Sequence, residues 1–224
     1  MAAQQAGSAL NVVMLGPPGA GKGTQAERLA RRQGLPKIST GDILREAVQA
    51  GTELGCIARA TMEAGNLVGD DVMIGIVQER LDREDARRGF VLDGFPRTVV
   101  QATALDRMVD GRGSLVVLDM VVPEKVLVRR LASRRICGKC GANAPVEWTG
   151  PCQKCGGRMV TRIDDGVAIV RERLKVYQRQ TKPLVDYYSA RPTFRTIDGN
   201  QPPDIVTDAV ESAIAEAGRG SATL

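Results

Sequence analysis

The chain contains no histidine. That removes histidine triads, phosphohistidine intermediates and imidazole metal ligands, and leaves Lys, Arg, Asp and Cys to carry any chemistry. Aromatic residues are scarce, at 3%, with three Phe, three Tyr and one Trp. Readers of RNA and of single strands stack bases on aromatic platforms, so no nucleic-acid partner is expected. The first 21 residues hold no charged side chain, yet Gln, Ser and Pro-Pro-Gly interrupt them and no basic segment leads them, so no secretory signal is expected. No apolar run approaches the roughly 20 residues that span a bilayer. The expectation is a cytoplasmic protein with no membrane partner, frayed over residues 1–7 and 218–224.

What is present is 224 residues with 43% hydrophobic content, enough for one well-buried α/β core with an insertion. The net charge of +5 and a pI near 9.1 suit anionic ligands. Apolar, β-rich segments at 11–15, 36–39, 90–92, 115–122 and 193–197 alternate with helical patterns. This predicts a parallel sheet covered by helices on both faces, with ligands gathered at the carboxyl ends of the strands. Pro123 and Glu124 read as a helix start.

The most informative stretch is GPPGAGKGT, residues 16–24, between an apolar strand pattern and an amphipathic helix pattern. Backbone N–H groups of a glycine-rich turn at a helix N-terminus form an anion cradle, and Lys22 adds a point charge that reaches the outer phosphates. A glycine, Gly23, follows the lysine, with the hydroxyl one place later at Thr24. A magnesium ion is therefore expected to be held mainly by nucleotide oxygens and water. The alternative is a strand-to-helix turn without a ligand.

STGDILR (39–45) follows the second strand pattern and FVLDGFPRT (90–98) spans the third. Asp93 at a strand terminus can hold magnesium-bound water, and Arg97 offers a planar fork of donors to phosphate oxygens. Taken singly, Ser39 or Thr40 reads equally well as a helix cap and Arg97 as a surface arginine. Four of the five cysteines form CxxC, an eleven-residue spacer and CxxC: Cys137, Cys140, Cys152 and Cys155. With a glycine after each pair, this predicts a structural zinc site, against disulfides or free thiols. Ile136, Val146, Trp148, Met159 and Val160 are the candidate core of that segment. Cys56 reads as a small buried hydrophobe.

The ordered set GPPGAGKGT, STGDILR, NLV, DGFPRTVVQ and TRIDD resembles the adenylate kinase family from Leu10 to about Ala217. The resemblance implies the α/β fold of a P-loop nucleoside monophosphate kinase: a parallel five-stranded sheet with helices on both faces. It implies one domain over 1–224, with an AMP-binding segment at 39–68 and a zinc-knuckle lid inserted at 135–162. The implied reaction is ATP + AMP = 2 ADP, with Mg²⁺ on the nucleotide and structural Zn²⁺. The implied partners are ATP, AMP and ADP, and a monomer is expected.

By resemblance Gly19, Ala20, Gly21, Lys22, Gly23 and Thr24 cradle the ATP phosphates, Arg130 lies against the ATP adenine and Gln201 is near that base. Thr40, Arg45, Asn66, Leu67, Val68, Gly94, Phe95, Pro96, Arg97 and Gln101 resemble the AMP site, with Gln101 reading the adenine edge. Arg134, Arg162 and Arg173 resemble the arginines that converge on the phosphates, fixed by Asp164 and Asp165. Lys22, Arg97, Arg134, Arg162 and Arg173 would then carry catalysis by charge, with no general base. The spacer between the cysteine pairs looks shorter than the family's usual one, and Asn143-Ala144 replace its hydroxyl-aromatic pair. Two other readings stay open: a monophosphate kinase with another acceptor or donor base (UMP, CMP, GTP), and a zinc-ribbon nucleic-acid-binding ATPase.

Overall fold

The computed structural model describes residues 9–145 and 148–220. At its centre is β1 (Leu10–Leu15), buried over five of its six residues. Five of its six residues are apolar, which suits a sheet covered on both faces, and the exception, Asn11, donates its amide to Arg112 O at 3.1 Å. It pairs in parallel with β3 (Gly89–Asp93) on one side and β4 (Leu115–Val121) on the other. β2 (Lys37–Ser39) and β7 (Phe194–Asp198) complete the parallel order β2-β3-β1-β4-β7. All five expected strands form, with bounds shifted by a residue or two. Chain order turns outward in opposite directions from β1, so the crevice at its carboxyl end is the topological switch point where open α/β sheets bind ligands.

Alternation along β1 feeds two cores. Val12 and Met14 pack on one face with Leu29 of α1 (Lys22–Gln33), Leu127 and Leu131 of α6 (Glu124–Ala132), and Val206 and Val210 of α9 (Pro203–Gly220). Val13 and Leu15 pack on the other with Leu44 of α2 (Thr40–Ala50), Val77 and Leu81 of α4 (Asp70–Leu81), Leu105 of α5 (Val99–Val109), and Leu184 and Tyr188 of α8 (Pro183–Ser189). Each fully buried leucine in such a core is worth roughly 2–5 kcal/mol against truncation to alanine.

Three local expectations are corrected. Cys56 lies exposed on α3 (Glu53–Glu63), whose buried positions are Gly55 and Ala58. A Cβ on Gly55 would stand 2.0 Å from Ala47 O, so α2 and α3 touch there through backbone and Cys56, one residue on, faces water. The chain at 218–220 is helical, because Val206, Val210, Ala213 and Ala217 bury one stripe that carries α9 to Gly220. Trp148 is 37% exposed, its indole N–H donating to Pro151 O at 2.8 Å. Residues 1–7, 221–224 and Val146 lie outside the described residues. Among the described residues, no helix is long and apolar enough to cross a membrane.

Between α6 and α7 (Val167–Val176) a separate antiparallel pair forms, β5 (Ile136–Cys137) with β6 (Met159–Val160). A π-helical turn, Tyr177–Thr181, joins α7 to α8.

Candidate active site

β1 ends at Leu15 and the chain turns through the glycine-rich loop into α1. Gly16 has φ +129°, and a Cβ there would lie 2.5 Å from Met120 O, so only glycine fits. No side chain caps α1 and its first turn holds no acid, which leaves this N-terminus to an anion. Lys22 opens the helix, and its Nζ donates to Gly16 O at 2.8 Å and Pro17 O at 2.9 Å. Asp93 ends β3 as the partner of Met14, and a Cβ on Gly23 would stand 3.0 Å from Asp93 Oδ2. The expected neighbourhood of Asp93 and the loop is thus present. Thr24 is exposed.

Beyond the loop opens a cleft whose lining includes Lys22, Arg45 and Arg97. At its floor the Gly94 carbonyl accepts from Thr40 Oγ1 at 2.8 Å and from Arg97 Nε at 2.9 Å. Ser39 is the cap of α2, its hydroxyl accepting from Asp42 N, and Arg45 pairs with Asp42. Asn66, Leu67, Val68, Pro96 and Gln101 also line the cleft. Gln101 Oε1 accepts from Arg97 N at 2.8 Å and Nε2 donates to Asp70 Oδ1 at 2.8 Å.

Three arginines meet two buried acids beside the cleft, which Arg162, Asp164 and Arg173 line and Arg134 and Asp165 do not. Arg134 grips Asp165 with two donors, and Arg162 grips Asp164 with two, both at 2.9 Å. Arg173 donates to Asp164 O at 2.8 Å and Asp165 Oδ1 at 3.0 Å. Against the cost of burial, Arg162 and Arg173 hold the Asp164 carboxyl well below the usual carboxylate range. Burial pushes Arg173 down to about 10 and Lys22 down to about 8. Lys22 also feels Arg97, Arg173 and Arg134, while Arg173 feels Arg162, so the five expected catalytic cations are electrostatic neighbours. Burial likewise lowers Arg97, and burial followed by Arg162 lowers Arg45. Cations crowded this way gain from taking up polyphosphate.

Some expected residues sit elsewhere. The Phe95 side chain is 1% exposed in the core, and Ala20 is equally buried, so each offers only backbone. Arg130 donates to Gly199 O at 3.0 Å and Gln201 Nε2 to Asp198 Oδ2 at 2.8 Å. A Cβ on Gly199 would lie 3.0 Å from Ala20 O, so the turn that carries Gln201 and is gripped by Arg130 of α6 packs against the phosphate loop, and neither residue lines the cleft. The sequence reading missed the apolar wall of Leu44, Met62 and Met73, and Tyr177 and Thr181 from the π-helical turn. Thr181 Oγ1 donates to Arg97 O at 3.0 Å. It also missed Asp119, buried on β4 level with Leu15 at the end of β1, where burial raises the carboxyl against the pull of Lys22.

The four sulfurs of Cys137, Cys140, Cys152 and Cys155 lie within 4.8 Å of one another. Cys137 Sγ is 3.5 Å from Cys155 Sγ and Cys140 Sγ is 3.6 Å from Cys152 Sγ, too far apart for disulfides. Tetrahedral zinc with ~2.3 Å bonds to sulfur sets its ligands about this far apart, so the set fits that ion. The amides of Cys140 and Lys139 point at Cys137 Sγ and pull that thiol down to about 6. With Met159, Cys137 and Cys152 form the buried centre of this segment.

A phosphate loop, a cleft of arginines beside it and acids that fix those arginines define a nucleotide phosphotransferase of the monophosphate-kinase class. The family model for adenylate kinase matches residues 14–193. The chain is similar to an adenylate kinase of Archaeoglobus fulgidus, 47% identical over 212 residues, with 92% of this chain and 98% of that one covered. It is also similar to one of Moorella thermoacetica, 50% identical over 199 residues, with 86% and 92% covered, and one of Rhizobium etli, 45% identical over 216 residues, with 92% and 100% covered. The chain belongs to the adenylate kinase family, and it is an ATP:AMP phosphotransferase.

Proposed function

We propose that AMP occupies the cleft and ATP the phosphate loop, so that the γ-phosphoryl group passes between them to give two ADP. One observation supports this reading: Lys22 of the phosphate loop lines the same cleft as Arg45, Arg97, Arg162 and Arg173, so cations suited to two sets of phosphates share one space. Arg97, Arg45 and Thr40 hold the AMP phosphate. Leu44, Met62, Met73 and Val68 cover its base, and Gln101 reads that base. Gly19, Gly21, Lys22, Gly23 and Thr24, with the backbone of Ala20, hold the ATP phosphates, while Arg130 and Gln201 lie on the adenine side. Phosphoryl transfer asks for positioning and countercharge, which Lys22, Arg97, Arg134, Arg162 and Arg173 supply, and no general base is needed.

Magnesium bound with the nucleotide neutralises developing phosphate charge. Asp93 stands where it would accept from water around such an ion, consistent with Gly23 leaving that space open. Zinc held by the four cysteines stabilises the fold of 135–162. That segment acts as the lid that keeps water from the γ-phosphate, and 39–68 is the AMP-binding segment of a single domain spanning 1–224. The protein works as a cytoplasmic monomer without a nucleic-acid partner. A panel of acceptors (AMP, UMP, CMP, GMP) with ATP and magnesium tests the assignment: AMP is the expected acceptor by a wide margin, and a pyrimidine acceptor of equal efficiency would refute it.

A further inference from the structure

Gln101 is 2% exposed, and its amide has partners at both ends: the N–H of Arg97 at Oε1 and the carboxylate of Asp70 at Nε2. The chemistry of those partners fixes the sense of the amide. A backbone N–H only donates and a carboxylate only accepts, so an amide turned end for end would face two like groups. Asp70 is in turn held by Thr98, whose hydroxyl donates to the same Oδ1 at 3.0 Å and accepts from Gln101 N at 3.2 Å. The first residue of α4 thereby locks a side chain in the first turns of α5.

A primary amide has two N–H donors and two oxygen lone pairs. Here one of each is committed, which leaves one of each for a ligand in the cleft that Gln101 lines. A 6-aminopurine offers a donor at position 6 beside a ring-nitrogen acceptor. A 6-oxopurine offers an acceptor at position 6. A glutamine free to turn its amide reads both bases, whereas one held in a single sense reads one of them.

We propose that Asp70 is a specificity-determining residue: by holding the Gln101 amide oxygen toward the purine 6-position, it selects 6-amino over 6-oxo purine monophosphates. This rests on AMP lying in the cleft, and it goes further because Asp70 does not touch the cleft itself. Asp70 acts through Gln101 and is a positioning residue. An acid at a helix start has a purely structural use as well, through the helix dipole and the tie to Thr98. The test must therefore read selectivity and not activity alone.

The experiment uses the full chain with saturating ATP and magnesium, and compares kcat/KM for AMP and for inosine monophosphate in wild type, Asp70→Ala and Asp70→Ser, each with a thermal scan. Serine keeps a small polar residue at the helix start and can donate or accept, so it preserves the fold while releasing the lock. The expected result is a fall in the AMP-to-inosine-monophosphate ratio of about tenfold in both variants, the scale of one bidentate amide–base contact, carried by KM. A ratio equal to wild type, whether or not the two activities fall together, overturns the proposal. Gln101→Leu separates the underlying reading: an unchanged KM for AMP in that variant means that AMP does not lie against Gln101 at all.

Discussion

Asp93 Oδ2 occupies the space into which a side chain on Gly23 would grow, 3.0 Å from where its Cβ would stand. The residue after the phosphate-loop lysine is therefore glycine because a carboxylate from the neighbouring strand stands there. Gly23→Ala is expected to displace Asp93 from its post, lower kcat by about tenfold or more and raise the magnesium concentration needed for half-maximal rate. Its melting temperature should stay close to wild type, since alanine suits the first turn of α1 better than glycine. Unchanged magnesium dependence would separate Asp93 from the metal.

Lys22→Met removes the point charge of the phosphate loop and is expected to abolish transfer with the fold intact. A second consequence follows from burial, which lowers the ammonium from 10.5 to about 8 in the nucleotide-free protein. Between those values the unfolded chain keeps a proton that the folded chain has lost, so Lys22 makes stability rise with pH across that window. Its full cost, on the order of 3 kcal/mol, is borne below pH 8. Nucleotide-free Lys22→Met should thus melt above wild type at pH 7, with the gap narrowing from pH 8 upward. Wild type melting above the variant at pH 7 would contradict this, as would near-normal turnover.

Arg97→Ala removes a fork of charged donors from the lining of the cleft. The KM for AMP should rise and kcat fall, together on the order of 10- to 100-fold in kcat/KM, with a smaller change in the KM for ATP. An effect confined to ATP would mean that the two nucleotide sites are reversed.

The cysteine segment makes a separable prediction. All four ligand positions are thiolates, so a bound zinc has no open position for water or phosphate and acts through stability. Paired replacement of Cys137 and Cys140 by serine, or stripping with a strong chelator, should lower the melting temperature markedly. Activity at about 15 °C, below the melting range of most domains, should survive in good part. Metal content measured beside the thermal scan checks both halves, and turnover lost in a folded protein until zinc is restored would place the metal in the chemistry.

The elements of this site differ in how visible they are in the chain. The phosphate loop and the cysteine pairs were legible because their chemistry depends on short fixed spacings, and β1 because five apolar residues in six leave few alternatives to a buried strand. Arg134, Arg162 and Arg173 were singled out only through a family resemblance, since nothing local says that they share two acids. The wall of Leu44, Met62 and Met73 was hidden because apolar residues on helices read as core, and these become ligand surface only where three elements leave a gap. Phe95 went the other way: a motif neighbour of Arg97, it turns its ring into the core. Cys56 and Trp148 were read as buried from residue type alone, whereas helix phase and a short segment set their exposure. The Asp70–Gln101 bond spans 31 residues and joins two helix starts, which no periodicity reports.

The central claim is that one cleft brings two nucleotides into line. Its most direct measurement is ADP formation by the purified chain with ATP, AMP and magnesium, with each component omitted in turn. The account predicts two ADP for each ATP consumed, rapid turnover only when all three are present, and negligible phosphate release from ATP alone. ATP hydrolysis that proceeds equally without AMP, or no ADP formed with all three present, would contradict it.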